Sequence, residues 1–594
     1  MSAKYALPSK LRASVAAGVY GMKPTSGACP GYLQANVVIM PSSYAQDFEE
    51  FCKRNYRACP LLYKSTPGQL HAGPLAQDSD IRQNIPAYEV FRNGKHEGRV
   101  GNIKDIFTQD MVTFYVGCSF SFEQALTRAG VPVRNIEQGC NVSMYRTSRD
   151  CDQVGPFKGK MVVSMRPVKK DHISTAVSAT APYVLAHGVP FHTVDHRLLL
   201  PKTTRLETPD YGDAVDVRGD EVPCFWCCGV TCLEAVKSAN LPIVITHSPG
   251  CMFVTDVKEE DLFSISDSPI LMGATQRAMQ HINSIEYAIK EDPGGRNVNA
   301  LTLPNQLWSA CHALHSATHI AITTGFPCLV TRSIPTESDG PLGALSLART
   351  LVLLGKQVTL VVDPANMAVM TAALQRAREL VPALADKCSL VEFNADNADA
   401  SDSSSDDQTT RARAVSEQLL SRGVDAVVAV ERAGVASSGH YHTMRAAVMD
   451  QHVQPIDHLF TLAQERGVAT IGVGDGGNEL GMGKVLDLVK EHVPRGEEIA
   501  CVVGCDYLIS AGVSNWGADG LAAGAVALAT SNPTEAEPLL PDVSFEKQVL
   551  QACFAAGCRD GVKPEADMSV DGMAFDAEHV AKIDELRAIL LAQN

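Results

Sequence analysis

The stretch Val468-Ala469-Thr470-Ile471-Gly472-Val473 runs without a break into Gly474-Asp475-Gly476-Gly477-Asn478-Glu479-Leu480-Gly481-Met482-Gly483. An apolar strand that empties into a polar, glycine-rich turn is where open α/β sheets hold small polar or anionic ligands. The glycines allow close backbone approach and expose N–H groups. Asp475, Asn478 and Glu479 stand where they orient an amine, a hydroxyl or a metal-bound water. Read from Gly472, the run reaches its sixth-position glycine only at Gly477, and no acidic residue closes a second strand about 20 residues on, so it is not read as a dinucleotide fingerprint. A tight strand-to-helix turn with a cap is the plain structural alternative.

A chain of 594 residues exceeds one core and points to two to four domains. A net charge of −16 without clustered Lys and Arg argues against nucleic acid. No apolar stretch nears the roughly 20 residues that span a bilayer. The 18 cysteines are scattered and read as reduced thiols. Their one dense group, Cys224-Phe225-Trp226-Cys227-Cys228 with Cys232, lacks a second Cys/His pair and reads as buried apolar cysteine rather than a zinc site.

Apolar runs at Gln34–Met40, Met111–Val116, Met161–Met165 and Leu241–Thr246 predict strands of a mixed α+β domain over 12–271, preceded by a lightly basic extension at 1–11. A helix is expected around Ala274–Glu291, with the boundary near Leu271. Over 272–594, strands at His319–Thr324, Gln357–Asp363, Asp425–Glu431, Val468–Val473 and Ile499–Val503 alternate with helical sequence such as Gly343–Leu354. That pattern predicts a doubly wound, mainly parallel sheet. The acidic stretch 394–410 lacks apolar anchors and reads as a disordered surface loop. No internal repeat links the halves.

In the first domain the strand Val112–Val116 leads into Gly117-Cys118-Ser119-Phe120-Ser121-Phe122-Glu123. This gathers Ser119, Ser121 and Glu123 at the start of a helix near Phe122, either as an anion site or as an ordinary cap. Cys118 is a weaker nucleophile candidate. Arg146 and Arg166 sit beside polar residues and suit a substrate carboxylate, or a structural ion pair. His247 ends a strand and is preferred as a proton-transfer group over His187 and His192. In the second domain Thr324–Pro327, Glu337–Gly343, Glu431–Gly434, Gly439–His442 and Ser510–Gly517 follow strand ends, so their loops converge with the run at Gly474.

These segments resemble the D-glutamate cyclase family, which joins an amino-terminal hydro-lyase-like module to a cyclase-like carboxy-terminal module. The first module's likeness rests on Gly31–Asn36, Gly117–Glu123, Met144–Thr147, Ser164–Pro167, Cys228–Thr231 and Thr246–Gly250. The second's rests on Thr324–Pro327, Gly474–Gly483, Gly512–Gly517 and Gly557–Gly561. The resemblance implies a lyase that closes D-glutamate to 5-oxo-D-proline with loss of water. It also implies a mitochondrial matrix location, with the cytoplasm the alternative if the short amino-terminal stretch is no import signal.

Such a reaction needs a carboxylate-binding arginine, a base, an acid and N–H donors. In the first domain the candidates are Ser119, Arg146 or Arg166, His247 as base and Glu123 as acid. In the second they are Asp475 and Glu479 for protons, Arg432 for carboxylate, the Gly476, Gly477 and Asn478 loop, and Asn515. The sequence leaves both open. No cofactor is required, and a divalent metal is compatible with the hard oxygens of Asp475, Asn478 and Glu479. A small-molecule substrate is expected, with no nucleic-acid or membrane partner and room for a homo-oligomer. The competing reading is a hydro-lyase for another small hydroxy or amino acid, with the second domain a metabolite-binding regulator.

Overall fold

The computed structural model describes residues 7–259, 276–396, 408–565 and 567–592. The chain divides into two compact units, Met1–Asn283 and Ser284–Asn594. The boundary expected near Leu271 lies outside the described residues, as do 397–407 of the expected acidic loop. That loop's far end differs from expectation, because a helix spans Gln408–Leu420.

Among its described residues the first unit holds ten strands: β1 (Tyr32–Pro41), β2 (Leu61–Lys64), β3 (Tyr88–Arg92), β4 (Lys95–Val100), β5 (Met111–Gly117), β6 (Ser143–Asp150), β7 (Lys160–Lys169), β8 (Glu221–Cys227), β9 (Val244–His247) and β10 (Phe253–Lys258). A seven-stranded sheet runs β2-β5-β1-β9-β3-β4 with β10 paired to β1, and β6-β7-β8 form a second sheet. All these pairs are antiparallel. β5 is buried along its whole length, and the β-branched and aromatic side chains of β1 and β5 fill both faces. The edge strand β4 carries Lys95, His96, Glu97 and Arg99 instead, charges that discourage edge pairing.

The expected extension 1–11 is in part structural. Pro8–Ala16 is a helix with Leu11 buried, and its Arg12 donates to the Val254 carbonyl of β10 (3.0 Å) and pairs with Asp78 and Asp256. Met1–Ala6 lie outside the described residues.

The second unit carries β11 (His319–Gly325), β12 (Gln357–Val362), β13 (Cys388–Glu392), β14 (Ala426–Arg432), β15 (Ala469–Gly474) and β16 (Tyr507–Ser510) in one parallel sheet, ordered β13-β12-β11-β14-β15-β16. The chain winds outward from β11 to one edge and then from β14 to the other. The strand order therefore reverses between β11 and β14, where such sheets open a crevice at their carboxyl ends. The helix Pro341–Leu353 is buried nearly end to end against the small-residue helix Ser514–Ala529. Their approach requires glycine at 343, where a Cβ would stand 2.8 Å from the Asn515 Cα.

One expected strand is absent. Ile499–Val503 does not join the sheet; the outer strand is Tyr507–Ser510. The apolar segment clamps the glycine-rich loop instead: Cys501 N–H donates to the Gly477 carbonyl, and the N–H groups of Gly481 and Gly483 donate to the Val503 carbonyl. All 18 cysteines are unbridged, and Cys224, Cys227, Cys228 and Cys232 are buried. Among the described residues no helix is long and apolar enough to cross a membrane.

Between the second unit's helices, Ser346 donates to Glu546 (2.9 Å), and Asp519 hydrogen-bonds the same carboxyl. Burial pushes Asp519 up to about 7 and Glu546 above the usual carboxylate range. Because folding raises these pKa values, the stability they contribute is present at low pH and lost as pH rises through about 7. Calorimetry from pH 5 to 8 is expected to show a falling melting temperature, with a shallower fall in Asp519→Asn; an unchanged slope in that variant contradicts this account.

Candidate functional site

Each unit buries a concentration of charge at the ends of its strands. In the first, β5 ends at Gly117, where a Cβ would lie 1.7 Å from the Leu185 carbonyl, so only glycine lets the segment Val184–His187 close over the strand end. A 3-10 turn, Ser119–Phe122, then precedes the short helix Glu123–Arg128, which starts one residue later than expected. Arg166, on β7, reaches this turn. Its Nη2 donates to Glu123 Oε1 (2.6 Å) and Ser119 Oγ (3.2 Å), and its Nη1 to Ser164 Oγ (3.1 Å). The guanidinium lies over the Phe122 and Trp226 rings, 5.0 and 5.7 Å from their centroids. Burial raises Glu123 above the ordinary carboxylate value, against the opposing pull of Arg166. Burial also pushes the Cys118 thiol up, a setting that disfavours the thiolate.

His187 belongs to this centre. It is fully buried at a positive φ of 83°, a strained backbone for a non-glycine residue. Its Nδ1–H donates to the Arg57 carbonyl (2.7 Å), which leaves the Nε2 lone pair free and without a hydrogen-bond partner among the described residues. Burial, followed by the charges of Arg166 and Arg57, pushes it down to about 4, so the ring is neutral at physiological pH. His247 is also engaged through Nδ1, which lies 3.0 Å from the Val37 N–H and 3.2 Å from the Val37 carbonyl, and burial pushes it down to about 4.

No hydrogen bond or ion pair among the described residues joins His247 or Arg146 to the Arg166 pair. Arg146 lies in a half-exposed network with Asp210, Glu234 and Tyr211. The structure thus brings together Ser119, Glu123 and Arg166, and adds His187, a turn histidine ranked below His247 on strand-end placement alone.

In the second unit carboxylates gather at the carboxyl ends of β11, β14 and β15, across the reversal of strand order. Asp339 follows β11. Its Oδ1 accepts from Asn515 N–H (2.8 Å) and Gly340 N–H (3.0 Å), and its Oδ2 from Ser514 N–H (3.0 Å). Glu431 sits at a bulge in β14 with a φ of 41°, where the pairing slips so that Gly325 faces Arg432. The bulge turns Glu431 toward Ser514, whose hydroxyl donates to it (2.6 Å). Asp475 follows β15 and pairs with Arg296 Nη1 (2.6 Å), which also holds Asp571. One carboxylate oxygen from each of Asp339, Glu431 and Asp475 lies within 4.8 Å of the others, a hard-oxygen set able to hold a metal ion. Burial and mutual repulsion push Glu337 and Asp571 up to about 8 and Glu479 to about 7, and raise Asp339 and Glu431 well above the normal range.

The glycine-rich loop is already occupied. Glu479 turns back into it, accepting from Gly476 N–H and Asp475 N–H through Oε1 (2.6 and 3.2 Å) and from Gly477 N–H through Oε2 (2.6 Å). The expected oxyanion cradle is thus filled by the chain's own carboxylate. Asn478 donates to the His442 carbonyl (2.7 Å), and Asn515 Oδ1 takes the N–H groups of Gly340 and Gly343 (both 2.8 Å). Arg432 is fully buried on Asp363 (2.9 Å) and the Gln454 carbonyl (3.0 Å), so its charge is committed to the fold. Sequence reasoning marked the loops of Asp339 and Glu431 without choosing these side chains. The available signal was an acidic residue after each of three strands of one doubly wound sheet. Arg296 and Asp571 carried no such signal.

A family model described as "D-glutamate cyclase" matches residues 112–256, and one described as "D-glutamate cyclase-like, C-terminal" matches 285–587. The human protein named "D-glutamate cyclase, mitochondrial" is 32% identical over 625 aligned residues, covering 99% of this chain and 98% of the relative. Two bacterial proteins, each named "Putative hydro-lyase", align over less of the chain. That of Syntrophobacter fumaroxidans is 47% identical over 43% of this chain and 98% of its own length. That of Jannaschia sp. is 46% identical over 42% of this chain and 93% of its own length.

Glu479→Ala leaves the Asp475, Gly476 and Gly477 N–H groups without their acceptor, and its expected cost to the second unit is about 2–4 kcal/mol. Chemical denaturation followed by fluorescence checks this; a loss below about 0.5 kcal/mol would mean the carboxylate does not hold the loop.

Proposed function

The chain belongs to the D-glutamate cyclase family, and from that premise we propose that it closes D-glutamate to 5-oxo-D-proline and water at the buried centre of its first unit. The full-length human relative favours this reaction over a hydro-lyase with a regulatory second domain. The observation that carries the placement is the Glu123–Arg166 pair beside a histidine with a free Nε2, inside the segment matched by the cyclase family model. The named compartment of the human relative supports a mitochondrial matrix location.

The substrate carries amine and γ-carboxyl on one chain, so holding its bent conformer removes most of the entropy barrier. In this reading the neutral amine nitrogen attacks the carbon of the protonated γ-carboxyl group, a C–N bond forms there, and the C–O bond of that same carbon breaks to release water. His187 Nε2 takes the amine proton; its low pKa keeps the lone pair available at neutral pH. The Arg166 charge steadies the oxygen on which negative charge builds, and two hydroxyls and a carboxylate fix its orientation. Glu123, raised by burial, supplies the proton that leaves with water. The enzyme is a lyase acting on a small molecule.

Arg166→Lys, Glu123→Gln and His187→Asn are each expected to lower kcat/KM for D-glutamate by about 100-fold or more. Asparagine tolerates the positive φ at 187, so the His187→Asn melting temperature should hold. Asp475→Asn should retain turnover within about threefold. Chromatographic assay of 5-oxoproline decides it: loss of turnover in Asp475→Asn with near-normal turnover in Arg166→Lys would move the chemistry to the second unit.

A further inference from the structure

We propose that Asp339, Glu431 and Asp475 bind one divalent cation of the magnesium–manganese class, at a site distinct from the centre assigned to ring closure. Their ligand oxygens lie within 4.8 Å of one another. An ion with oxygens at about 2.1 Å in octahedral array sets its ligands roughly 3.0 to 4.2 Å apart, so the set closes on an ion with small side-chain shifts. An all-carboxylate set selects hard cations over zinc or copper.

Two carboxylates are preset. Asp339 is fixed by the N–H groups that open the helix Ser514–Ala529, and Glu431 by a backbone bulge and the Ser514 hydroxyl. Asn478 and Glu479 are spent on the loop itself and are not ligands in this arrangement.

Two further observations point to a missing partner at this place. Thr324, at the end of β11, is fully buried, and its hydroxyl has no hydrogen-bond partner among the described residues. It faces the Asp339–Gly340 turn, where a Cβ on Gly340 would meet Thr324 Oγ1 at 2.8 Å and Glu431 Cβ at 2.7 Å. Asp571 shares Arg296 with Asp475, its side chain is 4% exposed, and no donor among the described residues reaches its Oδ2. Glu337 and Glu479 also face the cluster, and Arg296 is the cation ion-paired within it. Buried carboxylates in such excess over positive charge call for a counter-ion or for protons. The orphan hydroxyl and carboxylate oxygen favour the ion, because each suits the water shell that a Mg²⁺ or Mn²⁺ keeps.

The test is Mn²⁺ titration of the chelator-stripped full-length protein at pH 7.5, with free Mn²⁺ read by electron paramagnetic resonance. One Mn²⁺ per chain is expected, competed by Mg²⁺, together with a rise in melting temperature as Mn²⁺ is added. Glu431→Gln is the variant safest for folding, because its amide oxygen still accepts from Ser514; it should weaken binding by about 100-fold or more. Asp339→Asn should do the same, and Glu546→Gln, which alters a buried carboxyl elsewhere in the unit, should bind like wild type. No Mn²⁺ uptake by wild type, or wild-type affinity in Glu431→Gln, overturns the proposal. The readout is binding, so it stands or falls independently of where ring closure occurs.

Discussion

Charge taken out of water has to be answered within a few ångströms, and each unit meets this demand at the end of buried strands. In the first, Arg166 is surrounded by two aromatic rings, two hydroxyls and a single carboxylate, so its charge persists where substrate charge would develop. In the second, Asp339, Glu431 and Asp475 face one another with Arg296 at one side. A buried pair is weak evidence for stability, because apolar replacements often fold as well. The preorganised charge is more readily explained by chemistry than by folding.

The second unit's architecture was legible because each of its long strands is an uninterrupted apolar run between turns. The exception is instructive. Ile499–Val503 is as apolar as a strand, yet its backbone is consumed in clamping the loop at Gly477 and Gly481, and the modest Tyr507–Ser510 takes the sheet edge. In the first unit, β4 is charged and β8 contains Pro223, so neither shows the expected periodicity. Antiparallel partners, not local pattern, define these strands.

The site was legible in part for similar reasons. Asp475 and Glu479 stand in a glycine-rich run that draws attention, but the direction of Glu479 into its own loop depends on backbone geometry at Gly476 and Gly477. Glu431 was passed over for its neighbour Arg432, because a strand's alternation does not reveal a bulge. Arg296 and Asp571 lie far apart in the chain and meet only when the unit folds. His247 ends a strand and His187 lies in a turn, and strand-end placement favours His247 in the sequence. The backbone engages both through Nδ1, and His187 is set apart by the Arg166 charge that acts on it.

Under the two proposals, the buried centres of the two units make ring closure and cation binding separate capacities. The measurement that most directly tests the enzymatic half is chiral analysis of product from purified full-length protein given each enantiomer of glutamate. The account predicts loss of D-glutamate matched mole for mole by 5-oxo-D-proline, with L-glutamate left unchanged. Formation of no 5-oxoproline, or equal consumption of both enantiomers, would contradict it.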